Sequence, residues 1–184
     1  MLGYYLDRSK NQSGWRRLGV KVKRDQAQVR ARSGFFVTNA TTDPEKSRTD
    51  DIALALQSPL DCTALALVGR WDNIEPGNEP GKKHVNYRLG LPSASSFIND
   101  ADNNHVALEL LAMAKTSKGE PTDHPVSQKI EGYLRPERVS AIRQRGIVFT
   151  GALDLAPGEY TVRFVVRDDL SGRIGSLAAP LKVE

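Results

Sequence analysis

Leu155-Ala156-Pro157-Gly158-Glu159-Tyr160 runs directly into the alternating stretch Thr161 to Arg167. A Pro-Gly turn closing onto a tyrosine, followed by a long alternating strand, is how immunoglobulin-like β-sandwiches turn a corner. There the tyrosine hydroxyl bonds back to backbone a few residues upstream while its ring joins the core. Pro157, Gly158 and Tyr160 are accordingly assigned to a structural tyrosine corner. Because successive strand residues point to opposite faces, Tyr160, Val162, Phe164 and Val166 are expected to face inward and Arg163 and Arg167 outward.

Working outward, further β signals appear on both sides. Cys62 to Val68 is an apolar run bounded by Pro59 and by Asp72-Asn73. Val85, Tyr87, Leu89 and Leu91 alternate with polar residues or glycine, Val106 to Ala114 forms another strand pattern, and Ile130 to Leu134 a shorter one. Ile147, Phe149 and Leu153 share a face, and Ile174 to Val183 closes the chain. Some seven strands separated by turn residues predict an all-β fold, an immunoglobulin-like antiparallel β-sandwich over 49–184. One short helix is predicted over 136–145. Pro136 suits the first helical position, Val139 and Ile142 make an apolar stripe, Arg143 and Arg145 occupy the last turn, and Gly146 stops it. Such a helix would connect one sheet to the other.

Residues 1–48 read differently. Val20 and Val22 alternate with Lys21 and Lys23, and Val29 and Ala31 with Arg30 and Arg32. That is a β-hairpin with one apolar and one cationic face, and the polar stretch Thr38 to Asp51 reads as the linker after it. These 48 residues hold 11 Lys+Arg against 4 Asp+Glu, a net +7, whereas 49–184 carry 15 against 18, a net −3. The overall excess of basic residues is thus a property of the arm. An isolated hairpin is marginal in water, so its apolar face is expected to find a mate, either the sandwich or a second copy of the chain.

The 184 residues are 39% hydrophobic and 26% charged, in the range of soluble globular proteins. No apolar run approaches the roughly 18 residues a membrane span requires. Cys62 is the single cysteine, which excludes an intramolecular disulfide and reads as a small buried hydrophobe. Met1 to Tyr5 carry neither the basic nor the apolar region of a signal peptide, so localisation stays open.

Candidate sites are few. Asp100, Asp102 and Asn104 occupy positions one, three and five of a calcium loop, but His105 stands where the loop needs glycine and Leu111 where it needs glutamate. A tight turn explains these residues better. His84, His105 and His124 lack metal-ligand spacing. No nucleophile elbow, phosphate loop or acid–base pair stands out, so no catalytic, cofactor-binding or metal residue is assigned and no enzyme activity is expected. The basic strip Arg16, Arg17, Lys21, Lys23, Arg30 and Arg32 is the candidate surface for an anionic ligand or partner. Nucleic acid is not the expected ligand, because cations on an exposed strand serve solubility and discourage edge pairing.

Two stretches carry a family resemblance. Gly3-Tyr4-Tyr5-Leu6, Gly19 to Arg24 and Val29 to Phe36 resemble the end of the A-type domain in bacterial von Willebrand factor A-related (VWFA-related) proteins. Leu155 to Tyr160, Val165 to Asp168 and Ser171 to Ser176 ahead of Pro180-Leu181 are similar to the β-rich module that follows that domain. The resemblance implies the last strands of an A-type domain plus the complete following module, from a family whose members are commonly exported. It does not bring the family's metal-dependent adhesion with it, because no Asp-x-Ser-x-Ser occurs and the earlier strands would precede Met1. The expected role is a non-enzymatic structural or protein-interaction module of a larger VWFA-related protein, with a protein partner that is either a foreign chain or a second copy of this one, as a homodimer or by arm exchange. The alternative is a binding module for anionic or carbohydrate polymers, through the basic arm or exposed Trp15 and Trp71.

Overall fold

The computed structural model describes residues 14–17, 19, 23, 34–37, 44–77, 79–92, 104–123 and 125–184. The chain divides into two compact units, Met1–Pro44 and Glu45–Glu184. In the first, β1 (Gly14–Arg17) pairs antiparallel with β2 (Gly34–Val37), Trp15 opposite Phe36 and Arg16 opposite Phe35. The inner pairing expected between Val20–Lys23 and Val29–Arg32 lies outside the described residues, apart from Lys23 itself.

The second unit is an antiparallel β-sandwich. One sheet has the order β3-β4-β7 and the other β6-β5-β8-β9. The strands are β3 (Val68–Pro76), β4 (Lys83–Leu91), β5 (His105–Thr116), β6 (Val126–Tyr133), β7 (Ile147–Leu155), β8 (Gly158–Asp168) and β9 (Ile174–Val183). Their inward alternation builds one core: Val85, Tyr87, Leu89 and Leu91 from β4 meet Leu108, Leu110, Val162, Phe164 and Val166 from the facing sheet. Tyr87 stands edge-on to Phe164, ring centroids 5.0 Å apart. At the corner ahead of β8, Tyr160 Oη donates to the Ala156 carbonyl at 2.9 Å.

Helix α2 (Pro136–Arg145) carries the chain from β6 to β7, and so from one sheet to the other. It begins with proline at its first turn and buries Val139, and the Gly146 amide donates to Ile142 O at 2.7 Å. Gly146 is obligatory here. Its φ is +75°, and a Cβ would stand 1.8 Å from Leu91 O, which no side-chain shift relieves.

Four local expectations are corrected. The polar stretch expected as linker becomes helix α1 (Pro44–Gln57) from Pro44 onward, running through the expected boundary at 48/49. Its stripe is short, with only Ile52, Ala55 and Leu56 buried at i, i+3, i+4, which is why charge masked it in the sequence. Arg163 and Arg167 do not face solvent. They are 3% and 7% exposed, because α1 covers that side of β8 and buries both of its faces from Val162 to Asp168. Of the run Cys62 to Val68 only Val68 lies in a strand, as the first residue of β3. Cys62 to Leu67 makes a single bridge, Thr63 to Gly175, with backbone bonds to Ile174 and Ser176. Pairing along the rest of this edge of β9 meets Pro180, which has no N–H to offer. Asp72 and Asn73 do not end a strand but sit inside β3 where its register shifts, a β-bulge.

Candidate interaction surface

The two outer faces of the sandwich differ. Beneath α1, Leu111, Val165, Met113 and Ile174 form a small second core with Ile52, Ala55 and Leu56. Charges that would otherwise be stranded there are paired. Arg163 donates to Ala55 O (3.2 Å), Asp61 Oδ1 (2.5 Å), Ser176 Oγ (2.9 Å) and Leu60 O. Arg48 reaches from α1 to Glu109, and that hydrogen bond is the largest cause of its guanidinium's raised pKa. Arg167 pairs with Asp169 and, at 3.5 Å, with Asp51. Lys115 Nζ donates to Leu56 O at 2.7 Å, a cation at the carboxyl end of the helix. These groups hold the strap to the sheet. Asp168, 2% exposed, likewise accepts from the Leu170 amide and Ser171 Oγ and shapes the β8–β9 turn.

The outer face of β3-β4-β7 has no such cover among the described residues. Register puts Val68, Gly90 and Val148 in one row across its three strands, and Arg70, Arg88 and Thr150 in the next. Val68 and Val148 are 59% and 58% exposed. Gly90 leaves the floor between them open, and Val68 leans over it, 3.2 Å from where a Cβ would stand. Val68, Gly69, Arg70, Arg88, Gly90 and Val148 line a shallow groove of about 370 Å³. A second, polar trough of about 590 Å³ follows toward the other end of the sheet, lined by His84, Asn86 and Thr150 among others. There His84 Nδ1 lies 2.7 Å from Asp154 Oδ1, with both side chains reaching solvent and no nucleophile bonded to the other imidazole nitrogen among the described residues.

Asp72 organises the face. Its Oδ1 lies 3.0 Å from Arg70 Nε and its Oδ2 2.5 Å from Arg88 Nε. One carboxylate therefore serves two guanidinium groups that stand directly opposite each other on paired strands.

The residues singled out from sequence fall elsewhere. Arg16 and Arg17 lie on β1 and Lys23 beyond it, with Arg17 and Lys23 exposed. Lys21, Arg30 and Arg32 lie outside the described residues, as do Asp100 and Asp102. Asn104 is described and takes the left-handed conformation (φ 59°) that suits a turn. Trp71 is not an exposed platform. Its ring packs 5.8 Å from Phe164 and its Nε1 donates to Pro180 O at 3.0 Å, closing the corner between β3 and β9. His105 stacks on Tyr133 at 4.6 Å. Among the described residues no group of three or more His, Cys, Asp or Glu could hold a metal ion, and no helix is long and apolar enough to cross a membrane. Sequence reasoning missed Val68, Arg70, Arg88 and Val148, because only the register of three strands brings them together.

No protein-family model matches the chain, and no curated protein matches it.

Proposed function

We propose that the chain is a non-catalytic protein-interaction module of a larger VWFA-related protein, and that it meets its partner on the outer face of β3-β4-β7. The observation that carries this reading is the exposed row Val68-Gly90-Val148 on a sheet whose opposite number is roofed by a helix. Large aliphatic side chains clustered at a groove mark an association surface more often than scattered ones do. The ionisable groups described above also support a structural economy: Arg163, Arg167, Asp168 and Glu109 are spent on holding α1 and the β8–β9 turn. A photo-crosslinking residue at position 68 or 148, in the cells that make the protein, tests it. The reading requires a discrete protein adduct, self or foreign, that is absent when the probe sits at exposed Lys118 in the β5–β6 turn. Equal adducts from all three positions contradict it. Light scattering of the purified chain separates self-association from a foreign partner.

A second reading, binding of anionic polymers through the arm, is favoured by exposed Arg17 and Lys23. It requires retention on an anionic polysaccharide that falls steeply with salt. Retention unchanged after neutralising Lys21, Lys23, Arg30 and Arg32 eliminates it.

A further inference from the structure

Arg70 and Arg88 occupy directly opposed positions on β3 and β4, an arrangement that like charges destabilise. Nothing in the packing of the sandwich asks for it, since both side chains point away from the core and are 64% and 51% exposed. A single carboxylate, Asp72, stands between them and engages each through Nε. Arg88 Nε donates a hydrogen bond to Asp72 and Arg70 meets the same carboxylate as an ion pair, which leaves Nη1 and Nη2 of each without a partner among the described residues. A fixed guanidinium fork is the geometry that receives a carboxylate, one N–H to each oxygen. The pair carries one positive charge more than Asp72 neutralises. It lines the same groove as Val68, Gly90 and Val148.

Building on the proposed interaction role, we infer that this groove recognises a protein segment that presents a carboxylate beside an aliphatic side chain. The aliphatic group lies over Gly90 between Val68 and Val148, and the side-chain carboxylate of an Asp or Glu beside it bridges the Nη atoms of Arg70 and Arg88. Asp72 is a positioning residue: it orients the Arg88 fork, holds Arg70 beside it and lowers the cost of their proximity. Charge complementarity selects the acidic group and the apolar floor selects its neighbour, so neither alone suffices.

The test is an amide chemical-shift titration of the whole chain with three blocked peptides: acetyl-Leu-Glu-Val-amide, acetyl-Leu-Gln-Val-amide and acetyl-Ala-Glu-Ala-amide. Hexanoate serves as a non-peptide carboxylate. The Leu-Glu-Val peptide is expected to shift the amides of 68–72, 88–90 and 148, with the other two peptides about tenfold or more weaker, the difference one charge-assisted contact makes. Arg70→Gln with Arg88→Gln should abolish the preference for Glu over Gln, while Val68→Ala with Val148→Ala should abolish the preference for Leu over Ala. Because all four side chains are exposed, these variants should fold. Equal shifts from the Glu and Gln peptides, no shifts at these amides, or shifts from hexanoate with none from the peptides would overturn the inference. A crosslinked adduct from positions 68 and 148 alongside such a result would leave the interaction role standing and remove only the carboxylate ligand.

Discussion

Arg163 Nε donates to the carbonyl of Ala55 at 3.2 Å, joining the middle of β8 to the last turns of α1. Through this bond a strand position that alternation assigns to solvent becomes an anchor for a helix. The same guanidinium holds Asp61 and Ser176, so it also fixes the chain as it leaves α1 and runs along β9.

Arg163→Ala should therefore cost about 2–4 kcal/mol in urea unfolding, the range for breaking a buried, multiply bonded charge. Asp61 is partly exposed and rehydrates, which keeps the loss toward the lower end. Arg163→Lys should recover part of it, since a single ammonium cannot reach Ala55, Leu60 and Asp61 together. A loss below about 0.5 kcal/mol for the alanine variant would mean α1 does not rest on this side chain.

Gly146→Ala should cost about 3 kcal/mol or more, combining a left-handed φ with a Cβ driven into Leu91 O. Gly119→Ala is the control. Gly119 also has positive φ (+83°), but nothing lies within 4 Å of its added Cβ, so about 1 kcal/mol is expected. Thermal melts of the two variants should differ accordingly, and equal melts would contradict the close approach of α2's exit to β4.

Tyr87 lies in the sandwich core with no hydrogen bond to its hydroxyl among the described residues, and burial pushes its pKa up to about 12. The folded-state value is above the ordinary one near 10. Its contribution is thus complete below pH ~10 and is lost as pH rises toward 12, roughly 2–3 kcal/mol in total. Tyr87→Phe, which removes a buried hydroxyl that has no partner among the described residues, should be at least as stable as the parent at neutral pH and keep that increment at alkaline pH. Parallel alkaline stability curves for the two proteins would place the phenol in water instead.

Trp71→Phe should cost about 1 kcal/mol beyond the lost ring area, the value of its bond to Pro180 O. Tryptophan quenching by iodide should find Trp71 partly shielded in the parent. A fully quenchable Trp71 would restore the exposed platform that the fold takes away.

The architecture was legible because strand alternation is a two-residue pattern that needs no partner to be seen. Val85, Tyr87, Leu89 and Leu91, and Val162, Phe164 and Val166, read correctly as core from their spacing alone, and Pro136 and Gly146 bracket α2 by their own backbone chemistry. α1 stayed hidden because its stripe of Ile52, Ala55 and Leu56 is diluted by Arg48, Asp50 and Asp51, and the counter-charges of Arg48 and Asp51, Glu109 and Arg167, lie far away in sequence on the sheet. Once α1 is missed, Arg163 and Arg167 can only be read as solvent-facing. The groove was illegible for a related reason. Val68, Arg70, Arg88 and Val148 come from three strands, and nothing local to any one of them predicts their register.

The most direct test of the account is solvent paramagnetic relaxation of valine and leucine methyl signals with a soluble gadolinium chelate. One outer face roofed by α1 and the other uncovered by any described residue requires strong broadening at Val68 and Val148, with Val165 and Leu56 protected like the central Val162. Broadening of Val165 comparable to that of Val148, or protection of Val68 and Val148, would contradict it.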